Sequence, residues 1–144
     1  MIENDTIKLL RECDAGVKMG VKSIDDVIDY VKSESLKEHL NACKDEHDKL
    51  SVDIEKALHR FHEKNKNPNP IASSMSWLKT NMKLIMHERD STIADLMTDG
   101  CNMGVKSLNK YLNEYEAADE ESKDIAKRLI KLEEKLGKDI QKYL

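Results

Sequence analysis

The sequence predicts an all-α protein, an up-down bundle of four helices made of two similar hairpins. Aromatic residues make up 4% of the chain, and its 144 residues include only five glycines and two prolines. Sheets favour aromatic and β-branched residues and need glycine or proline turns, so this composition favours helices. Apolar residues also recur at alternating steps of three and four in four segments, as in amphipathic helices. A chain of this length suits one domain, which we expect to cover residues 1–144.

The first hairpin is expected over residues 4–64, with a short turn near residues 32–35. The stripe of the first helix contains Ile7, Leu10, Asp14, Val17, Val21, Ile24, Ile28 and Val31. The stripe of the second helix contains Leu36, Leu40, Cys43, His47, Leu50, Ile54, Ala57 and Phe61. Because the turn is short, the two helices should be antiparallel, and their 3/4 spacing predicts left-handed bundle packing.

The second hairpin, expected over residues 90–144 with a turn near 117–120, repeats the first. Met-Gly-Val-Lys-Ser-Ile at residues 19–24 recurs as Met-Gly-Val-Lys-Ser-Leu at residues 103–108. The pattern Leu-x-x-Asp-Ile-x-Lys-x-Leu occurs at residues 50–58 and again at residues 136–144. This internal repeat predicts that the two hairpins arose by duplication.

The connector between the hairpins, at about residues 65–89, differs from both turns. It begins with a polar segment containing Pro68 and Pro70, which cannot continue a helix. Residues 71–88 then predict a short amphipathic helix with Trp77 and Met82 on its apolar face. Asp90 is expected to be the N-cap of the third bundle helix, although fusion of the connector helix with that helix stays open. A connection of this length predicts a long crossover along the bundle.

Three segments carry a resemblance to a known family. They read Glu-Cys-Asp-Ala-Gly at 12–16, Met-Ser-Trp-Leu-Lys-Thr-Asn-Met at 75–82 and Asp-Ser-Thr-Ile-Ala-Asp-Leu at 90–96. A duplicated hairpin with a long crossover is also the plan of ferritin-like bundles. The chain therefore resembles an uncharacterised bacterial family of similar length, a domain of unknown function with a ferritin-like four-helix bundle. The resemblance implies the fold, and the family has no established reaction to carry over.

The histidine positions argue against the di-iron centre typical of ferritin-like bundles, which requires Glu-x-x-His on two helices. The residues three places before His39, His47, His59, His62 and His87 are Leu36, Lys44, Lys56, His59 and Leu84. The fourth helix contains no histidine. A hemerythrin-type site is also disfavoured, because four of the five histidines fall on the second helix.

Two polar residues interrupt the predicted core stripes at equivalent places of the repeat. His47 and Glu133 each lie level with a glycine of the partner helix, Gly20 or Gly104. If a pseudo-two-fold axis relates the hairpins, His47 and Glu133 can approach each other across the bundle centre. They could then form a buried hydrogen bond, a register-fixing polar layer, or a single metal site assisted by Glu46 or Cys43.

Asp14 and Thr98 form a second pair of polar residues at equivalent positions, and Asp14 is expected to reach solvent. From these positions we expect the protein to bind no cofactor, and the alternative is that it binds a single transition-metal ion.

Charge and cysteine content limit the classes of function. Twenty-four basic and 28 acidic residues are interleaved, which disfavours binding to nucleic acid, and no apolar run is long enough to cross a membrane. Cys13, Cys43 and Cys101 are few and far apart, as expected of reduced thiols in the cytoplasm. We expect a cytoplasmic, non-enzymatic protein that acts through protein contacts and forms homo-oligomers, with Trp77 and Met82 on the contact surface. The alternative is a ferritin-like metal-binding protein with an atypical, non-di-iron site.

Overall fold

The computed structural model describes residues 2–61 and 89–144, and both ranges are almost entirely helical. The four helices are α1 (Ile2–Val27), α2 (Glu34–Arg60), α3 (Asp90–Glu114) and α4 (Glu120–Asp139). Two 3₁₀ turns, Ile28–Tyr30 and Gln141–Tyr143, follow α1 and α4. The described ranges contain no strand. The prediction of an all-α four-helix bundle is confirmed. The predicted connector helix, with Trp77 and Met82, lies outside the described residues.

Both hairpin turns occur where the sequence predicts them, and each ends in a side-chain cap. Ser33 accepts a hydrogen bond from the backbone N–H of Leu36 at the start of α2, at 3.3 Å. Asp119 accepts one from the N–H of Ser122 at the start of α4, at 2.8 Å. These bonds satisfy N–H groups that the first helical turn leaves without a partner.

Hydrogen bonds between the hairpins fix the direction of each helix. The backbone N–H groups of Lys32 and Ser33 donate to the Asp90 carboxylate at 2.8 and 2.9 Å, so α2 and α3 begin at the same end. At the opposite end, the N–H of Asp119 donates to Thr6 Oγ1 at 2.8 Å. The helices therefore run up, down, down and up, and the chain between α2 and α3 joins opposite ends of the bundle. This order is compatible with a ferritin-like plan, which has one long crossover.

Asp90 is not the N-cap of α3, contrary to the expectation from the sequence. Arg89 is the N-cap, without a side-chain capping bond, and Asp90 is the first helical residue. Its carboxylate is used instead by the two N–H groups of the neighbouring turn. Asp90 therefore ties the start of α3 to the turn between α1 and α2 and caps neither α2 nor α3.

The buried core divides into two apolar clusters, one toward each end of the bundle. Along α2, Leu50 and Ile54 belong to the first cluster, whereas Leu40 and Cys43 belong to the second. His47 lies between them, and Glu133 holds the corresponding place on α4. The predicted stripe residues are mostly buried. Val21 is an exception because it is only half-buried.

The expectation that Asp14 reaches solvent is wrong. Asp14 is 2% exposed, and its Oδ2 pairs with Lys18 Nζ at 2.8 Å. The aliphatic stem of Lys18 extends its ammonium group toward the surface, so the Asp14 carboxylate can stay in the core and still have a charged partner. Asp14 Oδ1 and Thr98 Oγ1 are buried without a hydrogen-bond partner in the described part of the molecule.

Candidate functional site

The centre of the bundle contains a polar contact between the two hairpins. His47 of α2 donates from Nε2 to Glu133 Oε1 of α4 at 3.0 Å. The His47 side chain is 1% exposed and that of Glu133 is 14% exposed. The approach that the repeat alignment predicts for these residues is therefore present. We call this pair, with the equivalent glycines that it contacts, the polar layer.

The partners of His47 determine its protonation. Nδ1 lies 2.8 Å from the carbonyl oxygen of Cys43, which can only accept, so Nδ1 carries a proton. Nε2 faces a carboxylate oxygen and donates as well, which makes the ring an imidazolium. Burial lowers the pKa of His47, but hydrogen bonds to Cys43 and Glu133 outweigh it and raise the pKa to about 10. The polar layer thus contains a buried, hydrogen-bonded ion pair.

The two glycines give the polar layer its close packing. A Cβ atom at Gly20 of α1 would lie 2.7 Å from His47 Nε2 and 2.9 Å from its Cδ2. A Cβ at Gly104 of α3 would meet Glu133 Oε2 at 3.5 Å, which is an ordinary contact. The equivalent glycines therefore face the equivalent polar residues, but only Gly20 is required sterically.

Two cysteines adjoin the ion pair. Cys43 Sγ lies 3.5 Å from His47 Nδ1. Burial raises the pKa of the Cys101 thiol of α3, and the charge of Glu133 and a hydrogen bond to it raise this pKa further. From the sequence, Cys101 is predicted only to be a reduced thiol, and it is not placed near Glu133. Its position one helical turn from Gly104 is the signal that could have placed it beside Glu133.

The residues predicted as metal ligands only partly converge. Cys43, His47 and Glu133 are neighbours, whereas Glu46 is largely exposed and pairs with Lys49 Nζ at 3.0 Å. Glu46 does not approach the other three residues because neighbouring positions on a helix point in different directions, and the side chain one residue before His47 points away from the core. Among the residues that the structure describes, no group of three or more His, Cys, Asp or Glu side chains is arranged to hold a metal ion.

An open groove runs between α1 and α3, beside the polar layer, and encloses about 200 Å³. Its walls are mainly apolar or small and come from the two copies of the repeated motif. They include Met19, Gly20 and Ser23 on one side and Met103, Gly104 and Ser107 on the other. Helix α4 contributes Leu129 and Glu133, and Met103 is 48% exposed. We call this feature the α1–α3 groove.

A second cavity, of about 470 Å³, lies between α2 and α4. Cys43 and Leu136 line it among polar and charged residues that include His39, Lys135 and Asp139. We call it the α2–α4 cavity. Glu133 of the polar layer therefore lines the α1–α3 groove, and Cys43, which contacts His47, lines the α2–α4 cavity.

Comparisons with protein-family models, with curated proteins and with solved structures each found no match for this chain. The resemblance to the uncharacterised ferritin-like family therefore stays a prediction. Within the described residues, no helix is long and apolar enough to cross a membrane.

Proposed function

We propose that this chain is a non-enzymatic, cytoplasmic helical-bundle protein that acts through protein contacts, including self-association. The observation that carries the proposal is the α1–α3 groove, an apolar surface that opens to the exterior in the described part of the chain. Apolar grooves of this kind commonly mark protein interaction sites.

The composition of the groove supports a second copy of the chain as its partner. Both walls contain the same Met-Gly-Val-Lys-Ser motif, so the groove has approximate two-fold symmetry. In a two-fold dimer, the same surface of both copies forms the interface, so that surface must be complementary to itself. A groove with approximate two-fold symmetry meets this requirement readily. Met19 and Met103 add flexible, polarizable side chains that adapt to an apolar partner.

The polar layer has a structural role in this proposal. A buried ion pair adds little net stability over an apolar pair of similar size, but an arrangement that leaves either charge buried without its partner is strongly destabilised. His47 and Glu133 lie on different hairpins, so a shift of one hairpin along the other would separate them. We therefore assign them to fixing the register of the two hairpins.

Substitution of Gly100 tests self-association without disturbing the core. Gly100 lines the groove, and a Cβ there meets nothing within 4 Å, so larger side chains fit the fold. We expect the molar mass of the wild type, measured by light scattering across a concentration series, to approach that of a dimer. Gly100→Arg should give a monomer, whereas the control Gly100→Ala should behave as wild type. A wild type that stays monomeric, or a Gly100→Arg variant that still dimerises, would contradict the proposal.

The second candidate function is binding of a single transition-metal ion at His47 and Glu133, with Cys43 nearby. The bond from His47 Nδ1 to the Cys43 carbonyl favours it, because metal-binding histidines usually donate their other ring N–H in this way. A metal ion would have to replace the proton on Nε2. Elemental analysis of protein purified without chelator tests this candidate. Stoichiometric iron, manganese or zinc that is lost in His47→Ala would support it, and metal-free protein would reject it.

A further inference from the structure

The α1–α3 groove has an uneven distribution of charge. Along most of its length the lining is apolar or small, and it includes the buried side chains of Leu96 and Leu129. Glu12 and Glu133 are the charged residues of this lining, and no lysine or arginine of the described ranges takes part in it. Glu133 is already bonded to His47, so the carboxylate of half-buried Glu12 gives one end of the groove a negative charge.

Two tyrosines of α3 lie at this negative end of the groove. Tyr111 lines the groove and stacks on Tyr115, with the ring centroids 6.2 Å apart and the ring planes inclined by 13°. Burial raises the pKa of both tyrosines, and the charges of Glu12 and Glu114 raise it further. A carboxylate and the face of an aromatic ring both attract a cation. The end of the groove at Glu12 and Tyr111 therefore favours a positively charged group.

The rest of the groove favours a flexible apolar chain. Its lining on α1 extends from Glu12 to Ser23, which corresponds to about 16 Å along the helix axis. Four of the five glycines of the chain line the groove and leave room between the helices. Met19 and Met103 have flexible side chains that adapt to an aliphatic ligand. The volume of about 200 Å³ is below the range that holds drug-sized molecules, so the ligand should be small.

We propose that the α1–α3 groove binds a small linear aliphatic amine, with its ammonium group at Glu12 and Tyr111 and its alkyl chain along the apolar walls toward Ser23. The ammonium group donates to the Glu12 carboxylate and lies against the tyrosine ring. The alkyl chain removes apolar surface of both partners from water. The inference does not depend on self-association, and a second copy that covers the groove would compete with the amine.

The test compares octylamine, 1-octanol and octanoate, which contain the same number of carbon atoms and differ in the charge of the head group. Each probe is titrated at neutral pH into the full ¹⁵N-labelled chain, at a protein concentration at which light scattering gives the monomer. Amide shifts in ¹H–¹⁵N NMR spectra give the affinity and the location of binding. We expect octylamine to shift amides along the groove and to bind about tenfold more tightly than 1-octanol, with octanoate weakest. No binding, equal affinities for the three probes, or shifts confined to other surfaces would overturn the proposal.

Glu12→Gln separates recognition of the head group from binding of the chain. We expect this variant to bind octylamine and 1-octanol with similar affinities, because the carboxylate is lost while the apolar walls are unchanged. The matched control is Glu134→Gln, which removes the same charge from an exposed position outside the groove lining. The control should keep the preference of the wild type for octylamine. A preference for octylamine that survives in Glu12→Gln would show that Glu12 does not bind the ammonium group.

Gly100→Leu tests the path of the alkyl chain. Gly100 lines the groove, and a Cβ there meets nothing within 4 Å, so a larger side chain fits the fold and occupies groove space. We expect Gly100→Leu to weaken binding of both octylamine and 1-octanol by about tenfold or more, whereas Gly100→Ala should keep the affinity of the wild type. Circular dichroism shows whether the variant is folded. Unchanged affinity in folded Gly100→Leu would contradict the proposal, and if this variant does not fold, the comparison of the three probes on the wild type decides the question.

Discussion

Substitution of Gly20 by alanine should destabilise the protein, although the same change usually stabilises a helix. In a helix interior, glycine is less favourable than alanine by about 0.5–1 kcal/mol. At Gly20, however, the new Cβ would lie 2.7 Å from His47 Nε2. To reach an ordinary contact distance from this Cβ, the ring would have to move by roughly half an ångström or more. A movement of that size away from Glu133 would stretch the 3.0 Å bond between Nε2 and Oε1 beyond hydrogen-bond distance.

The magnitude follows from the two interactions that this movement disturbs. A hydrogen bond to a charged group contributes about 1.5–3 kcal/mol, and overpacking in a core costs about 1–3 kcal/mol. After the helical gain, we expect a net destabilisation of about 2–4 kcal/mol. For a domain of this size, that corresponds to a fall in Tm on the order of 10 °C.

Two other glycines provide matched controls for thermal and urea unfolding. A Cβ at Gly100 meets nothing, and a Cβ at Gly104 makes an ordinary contact with Glu133. Gly100→Ala should raise the free energy of unfolding by up to about 1 kcal/mol, and Gly104→Ala should leave it unchanged or raise it slightly. If Gly20→Ala stabilises the protein as much as Gly100→Ala does, the close packing of His47 against α1 is wrong.

Three further predictions concern pH, the core and the end of the bundle. Because the pKa of His47 is raised above 6.5, its contribution to stability is complete below pH 6.5 and falls by up to about 1.4 kcal/mol per pH unit toward pH 10. Urea unfolding should show this slope in the wild type but not in His47→Gln, and equal slopes would contradict it. Leu136→Asp should abolish the helical circular dichroism signal because Leu136 is 4% exposed, whereas half-buried Val21→Asp should fold with a lowered Tm. The reverse order of severity would refute the core assignment. Asp90→Ala should lower the free energy of unfolding by about 1–2 kcal/mol and speed hydrogen exchange at the backbone amides of Lys32 and Ser33. Unchanged exchange at these two amides would show that their bonds to Asp90 do not form in solution.

The sequence was sufficient for the features that depend on periodicity. The helices follow from the 3/4 spacing of apolar residues, and the hairpin turns follow from its interruption. The contact between His47 and Glu133 was also predictable, because the repeat placed both residues at the same level of the bundle. For Val21, the same periodicity predicted a core position, but the residue is only half-buried in the structure.

The features that the sequence did not predict depend on tertiary contacts. Asp90 has the residue type of a cap, but the N–H groups that it binds belong to residues about 60 positions earlier in the chain. Asp14 is a charged residue on a stripe, and its burial depends on Lys18 extending from the core to the surface. The position of Cys101 beside Glu133 depends on the packing of α3 against α4, which no local pattern specifies.

The most direct test of the polar layer is the protonation of His47, measured by NMR with ¹⁵N-labelled histidine. We predict that at neutral pH both ring nitrogens of His47 carry protons, and that these protons exchange slowly with water because the ring is buried. Addition and removal of chelator should leave both signals unchanged. A ring with one proton, or a nitrogen whose signal changes when a metal ion is removed, would contradict a buried imidazolium that joins the two hairpins through Glu133.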